Sequence, residues 1–187
     1  MAQDAYTADK FLGLLAQLSR KLNTIDEHAE LFLFGGGAMA LYYGARNKTQ
    51  DLDAVVRGTS LHLVNDLIVD VAHEQEVRRD WLNNQGAHYI TQEILDSALD
   101  FIMLPGIQVK VASPEAMLAL KISSMRSDLE TPDEADVKFL LKKLSVRDEQ
   151  TALGILEVYL PGRGKTLTKY HLIRLQELID EANILPE

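Results

Sequence analysis

Two groups of residues in this chain could do chemistry: three glycines closing an apolar run, Leu31-Phe32-Leu33-Phe34-Gly35-Gly36-Gly37, and the carboxylate pair of Asp51-Leu52-Asp53. A short apolar run that ends at turn residues reads as a buried strand, and a helix is expected beyond the glycines, from Ala38 to Tyr43. Strand, glycine turn and helix N-terminus bring bare backbone N–H groups and the positive end of a helix dipole to one point, which favours a phosphate. In Asp51-Leu52-Asp53-Ala54-Val55-Val56 the two-residue period of a strand turns Asp51 and Asp53 to one face and Leu52 and Ala54 to the other. Two carboxylates a pleat apart can share a divalent cation. Mg²⁺ (or Mn²⁺) suits them, because Mg²⁺ takes hard oxygen ligands, often only one or two of them protein carboxylates, and fills its shell with water and substrate phosphates. A two-ion version would clamp the attacking and leaving oxygens of an in-line displacement.

Either group alone is commonplace. Glycine runs mostly serve tight turns through positive φ, and Asp-x-Asp on a solvated strand edge needs no function. Their conjunction is more specific: an apolar strand, glycines, a short helix, then Arg46-x-x-Thr49-x-Asp51-x-Asp53 leading into Ala54-Val55-Val56. It points to phosphoryl chemistry on a nucleotide.

Leu33 to Val56 resembles the signature of minimal nucleotidyltransferases of the DNA polymerase β superfamily, in which a Gly-Gly turn precedes an Asp-x-Asp strand. Val111-Ala112-Ser113-Pro114-Glu115, Leu118-Ala119-Leu120-Lys121, Arg126, Asp133-x-x-Asp136 and the phrase Arg79-Asp80-Trp81-Leu82-Asn83 resemble one branch of it. That branch holds uncharacterised nucleotidyltransferase-like proteins and the toxins of abortive-infection toxin–antitoxin systems. The likeness runs from Leu31 to about Leu144.

The resemblance implies an α/β (α+β) nucleotidyltransferase fold, a small mixed β-sheet with flanking helices. Residues 1–112 would form the core and 113–187 a helical C-terminal lobe. It implies Gly35 and Gly36 as the triphosphate turn, Asp51 and Asp53 as catalytic metal ligands, and Arg46, Thr49, Lys121 and Arg126 as nucleotide contacts. Asp100, in Leu99-Asp100-Phe101-Ile102-Met103, is the candidate third carboxylate and general base. The implied activity is Mg²⁺-dependent transfer of NMP from an NTP to a hydroxyl or phosphate acceptor. That acceptor would be RNA such as tRNA, or a protein, and the chain would be a toxin with an antitoxin partner. The alternative is a non-catalytic module that keeps the fold and binds a nucleotide or partner. Two departures stand out: Gly37 where many transferases have Ser, and an apparent insertion at Ser127 to Pro132.

Composition fits a cytoplasmic enzyme. With 187 residues and 47% hydrophobic content the chain can bury a core. No apolar run approaches the roughly 20 residues that span a membrane, and the N-terminus lacks the pattern of a signal peptide. Zero cysteines exclude disulfides and thiolate–metal sites. A net charge of −9 argues against broad nucleic-acid binding, although Arg163, Lys165, Lys169, His171 and Arg174 form a local basic stretch.

Positioning elements follow from periodicity. Phe11, Leu15, Leu18 and Leu22 mark an N-terminal amphipathic helix, and Leu61, Val64, Ile68 and Val71 a second helix. Strands are expected at Tyr89 to Ile94 and Ala98 to Met103, the latter in a hairpin with Ile107-x-Val109-x-Val111 around Pro105-Gly106. Ser113-Pro114 and Thr131-Pro132 read as helix starts. Two more helices, from Asp148 to Leu160 and Thr168 to Glu181, would bury Leu153, Leu156, Leu172, Leu175 and Ile179. Gly162-Arg163-Gly164-Lys165-Thr166 lacks the leading glycine and strand of a P-loop and is set aside. The five histidines show no metal spacing, and Trp81 reads as a core anchor.

Overall fold

The computed structural model describes residues 5–125 and 132–184. In chain order the elements are β1 (Tyr6–Thr7), α1 (Ala8–Thr24), β2 (Ala29–Phe34), α2 (Gly35–Leu41), β3 (Lys48–Thr49), β4 (Leu52–Arg57), α3 (Leu61–Glu74), β5 (Leu82–Asn83), α4 (Gln92–Asp96), β6 (Leu99–Leu104), β7 (Ile107–Val111), α5 (Pro114–Ser123), α6 (Pro132–Leu144), α7 (Glu149–Tyr159) and α8 (Lys169–Asn183). The described residues form two compact units, 5–88 with 98–112, and 89–97 with 113–125 and 132–184.

The first unit is built on a mixed five-stranded sheet ordered β5-β4-β2-β7-β6. β2 lies antiparallel to β4 and parallel to β7, β5 runs parallel to β4, and β6 and β7 form the expected hairpin. Alternation holds in β4: Leu52 and Ala54 are fully buried, whereas Asp53 and Val55 are half-buried. α1 is capped by the Thr7 hydroxyl, which accepts from the Lys10 N–H at 3.4 Å, and its Phe11, Leu14, Leu15, Leu18 and Leu22 enter the core. β1 and β3 form a separate two-stranded ribbon.

The second unit is helical. Ser113 caps α5 with Pro114 in the first turn, as expected, and Asp148 caps α7 through the Thr151 N–H at 2.8 Å. Thr168 and His171 cap α8 reciprocally. Thr131 and the Ser127–Thr131 part of the apparent insertion lie outside the described residues.

Several expectations are corrected. Tyr89 to Ile94 is not a strand: a 3-10 turn covers Ala87–Tyr89 and α4 follows. The Thr91 hydroxyl accepts from the Ile94 N–H at 3.3 Å and starts a helix that buries Ile94, and the same hydroxyl donates to the Tyr159 carbonyl at 2.9 Å. α2 begins at Gly35 rather than Ala38. Leu61 is exposed. Leu153 and Leu172 are half-buried, because the inner stripes of their helices are Ala152, Leu156 and Leu160, and Leu175, Leu178 and Ile179. Leu82–Asn83 is a strand although its neighbours are polar. Among the described residues no helix is long and apolar enough to cross a membrane.

Candidate functional site

The site is assembled where β2 runs into α2 and β4 begins. Phe34 and Asp53 are cross-strand partners, so the chain leaves β2 beside the first residues of β4. There Gly35 takes φ of +65°, a left-handed conformation that side-chain-bearing residues rarely adopt. A Cβ on Gly35 would stand 2.6 Å from Oδ2 of Asp53, and one on Gly36 would stand 3.0 Å from the Thr49 hydroxyl and 3.2 Å from an Arg46 guanidinium nitrogen. The glycines therefore let a carboxylate, a hydroxyl and a guanidinium close on one stretch of backbone. Gly37 has a different reason: a Cβ there would meet the Leu52 side chain at 2.6 Å and its Cα at 3.2 Å. α2 rides directly on β4 at this point, so a side chain at position 37 would crowd Leu52.

Asp51 stands just before β4 and is half-buried. Its Oδ2 accepts from the Asn83 side-chain amide at 3.2 Å. Burial pushes the Asp51 carboxyl above its ordinary value; Arg78 opposes that, Asp80 adds to it, and the Asn83 hydrogen bond opposes it. Arg78 is itself held by Asp80 through Nε at 2.8 Å and a terminal nitrogen at 2.5 Å, and this pairing keeps the Asp80 carboxyl below its usual range. The Arg78 backbone N–H donates to the Tyr6 hydroxyl at 3.2 Å, tying the β1–β3 ribbon to the group.

Not all the expected residues gather there. Asp100 lies on β6, where it is exposed and accepts from the Gln108 amide at 3.3 Å. β6 is separated from β4 by β2 and β7, three strand spacings, or about 14 Å. The structure therefore does not bring Asp100 to Asp51 and Asp53. Lys121 belongs to the helical unit, where its ammonium reaches Asp133 at 2.5 Å and Asp136 at 2.8 Å; the Lys121 and Asp136 side chains are 7% and 1% exposed. Arg126 lies outside the described residues. The basic stretch is divided: Arg174 is held by Glu134, Glu177 and Glu181, and Arg163 sits over the Tyr89 ring at 5.0 Å. Trp81 is a core anchor, fully buried, with its indole N–H on the Ile68 carbonyl at 3.2 Å.

Sequence reasoning missed the support behind Asp51. The signal was on hand in the phrase containing Asp80 and Asn83, but their roles depend on β5 lying parallel to β4 with Asn83 abreast of Asp53.

Asp51 and Asp53 fit a hard divalent cation. They are two oxygen donors, one already partly stripped of water, beside a glycine cradle that any Cβ would fill. Among the described residues no cluster of three or more His, Cys, Asp or Glu forms a metal site.

Comparison with known proteins finds no matching curated protein and no matching solved structure. A family model described as "Nucleotidyl transferase of unknown function (DUF2204)" matches residues 65–154, just under half of the chain. The match begins downstream of Asp53, so it and the glycine–carboxylate geometry rest on different residues. Small mixed sheet, flanking helices and family match agree, and this chain is similar to the nucleotidyl transferases in fold and over residues 65–154.

Proposed function

We propose that this protein transfers a nucleoside monophosphate from an NTP to a hydroxyl or phosphate acceptor, with pyrophosphate leaving. The observation that carries the reading is the convergence of the Asp53 carboxylate, the Thr49 hydroxyl and the Arg46 guanidinium on the backbone of Gly35 and Gly36. The family match supports the same class of reaction.

In this reading the acceptor oxygen bonds to the α-phosphorus as the bond from that phosphorus to the bridging α–β oxygen breaks, the proton of a hydroxyl acceptor passing to water and pyrophosphate leaving. Asp51 and Asp53 would hold Mg²⁺ or Mn²⁺, which would offset the negative charge developing on the phosphates. Gly35 and Gly36 present backbone N–H groups at the start of α2. Arg46 brings a fixed positive charge toward the leaving phosphates, and the Thr49 hydroxyl, which donates to the Asp51 carbonyl at 3.4 Å, lines the turn beside it. Asp100 receives no proton-transfer role, since it stands three strands away from the pair. The finer reading rests on the resemblance: RNA such as tRNA, or a protein, as acceptor, a toxin role with an antitoxin partner, and a cytoplasmic setting where NTPs are plentiful.

The position of Asp100 favours a second reading, in which the site binds a nucleotide without turnover. One pair of measurements separates the two: the affinity for ATP, GTP, CTP and UTP with and without Mg²⁺, and pyrophosphate release in the presence of total RNA. Mg²⁺-dependent binding with release supports transfer. Tight binding with no release supports the binding module, and no binding contradicts both.

A further inference from the structure

We infer that Asn83 is a positioning residue that presents Asp51 to a single divalent cation and closes its Oδ2 to a second; the inference rests on the nucleotidyltransfer reading of the site. Asn83 lies on β5 directly abreast of Asp53 on β4. From there its amide nitrogen donates to Asp51 Oδ2 at 3.2 Å and to the Asp80 carbonyl at 3.3 Å, while its amide oxygen accepts from the Gln85 N–H at 2.8 Å. Amide oxygen and nitrogen are assigned from their partners, and here all three partners agree: two acceptors face the NH₂ and one donor faces the oxygen.

The consequence is chemical. An N–H donor and a cation compete for the same oxygen, so Asn83 leaves Oδ1 as the Asp51 atom best placed to enter a coordination shell beside Asp53. In two-ion sites the ions lie about 3.5–4 Å apart, and the side chain abreast of Asp53 on the neighbouring strand is a neutral amide rather than a third carboxylate. Behind it, the Arg78–Asp80 pair and the Tyr6 hydroxyl hold the segment that carries Asn83. Partners that orient a metal ligand typically alter metal affinity about 10–100-fold when they are removed.

Mn²⁺ titration followed by electron paramagnetic resonance, without nucleotide and up to millimolar metal, tests this on the full chain. Wild type is expected to bind one Mn²⁺ per chain, and Asp51→Ala/Asp53→Ala none. Asn83→Leu, similar in volume but without a donor, is expected to bind one ion about tenfold more weakly, with a broadened Mn²⁺ spectrum. Asn83→Asp, which places a third carboxylate abreast of Asp53, is expected to bind tighter than wild type or take a second ion. Thermal melts confirm that each variant is folded; if Asn83→Leu is not, Asn83→Ala replaces it with the same expectation. Unchanged affinity and spectrum in the donor-less variant, or two ions in wild type, overturns the role of Asn83 while leaving the carboxylate site standing. Absence of Mn²⁺ binding by wild type overturns the reading of the site itself.

Discussion

Oδ2 of Asp53 lies 2.6 Å from the place a Cβ would occupy on Gly35, and Gly35 holds φ at +65°. A methyl group there collides with a carboxylate, and its backbone is strained in the left-handed region. Gly35→Ala is therefore expected to lose about 1–3 kcal/mol of stability and to lose NTP binding. Gly36→Ala, facing the movable ends of Thr49 and Arg46 at 3.0 and 3.2 Å, is expected to keep its fold with weaker NTP binding. Denaturant melts and nucleotide titrations of the two variants check the contrast; equal effects would mean that the turn is not shaped around Asp53.

Asp51 sets function against stability. Its folded pKa is raised, first by burial, so above the unfolded value of 3.8 the folded state binds more protons than the unfolded one, and stability falls as pH rises through that window. Asp51→Asn keeps an acceptor for Asn83 and removes the charge. At pH 7 it is expected to raise Tm by on the order of 2 °C, with the advantage fading below about pH 4, where both states of the wild type are protonated. The same variant is expected to lose cation binding. Melts from pH 3 to 8 with and without Mn²⁺ check both halves.

Much of this was legible because it is local. The glycine run, the Asp51/Asp53 alternation, the hairpin and the Ser113-Pro114 start each depend on a few neighbouring residues. Asn83, Arg78 and Tyr6 were not legible, because their roles come from the parallel pairing of β4 with β5 and from the ribbon of β1 with β3, both set by tertiary contacts. Asp100 sits on a strand as expected, yet strand order decides whether a strand residue reaches the site, and β6 is the far edge. Tyr89 to Ile94 reads as a strand by composition, but the Thr91 cap and the burial of Ile94 make it a helix.

Lys121 and Asp136 form a buried ion pair. Lys121→Met takes the ammonium from both Asp133 and Asp136 and is expected to cost about 3 kcal/mol, whereas Lys121→Met/Asp136→Leu, which leaves only the more exposed Asp133, should recover most of the loss. The double variant also asks whether Lys121 contacts nucleotide: retained NTP affinity assigns it to the fold, and lost affinity in a stable double variant assigns it to the site.

Arg174 grips Glu134 through Nε at 2.9 Å and a terminal nitrogen at 2.7 Å. That grip holds the Glu134 carboxyl below its ordinary value, so its contribution is present above the unfolded value of 4.5 and is lost as pH falls through the lower folded value. Arg174→Lys cannot reproduce the fork and is expected to cost about 1–2 kcal/mol at pH 7, with a smaller penalty at pH 3. Parallel urea melts at the two pH values measure it.

The activity proposed for Asp51 and Asp53 is nucleotidyl transfer at the glycine turn. Purified protein incubated with each α-phosphate-radiolabelled NTP, Mg²⁺ or Mn²⁺ and total cellular RNA, beside folded Asp51→Ala/Asp53→Ala, tests it directly. Label is expected in RNA or in protein with wild type only. Label in neither, from a folded protein that binds NTP, or equal label with the double variant, would contradict it.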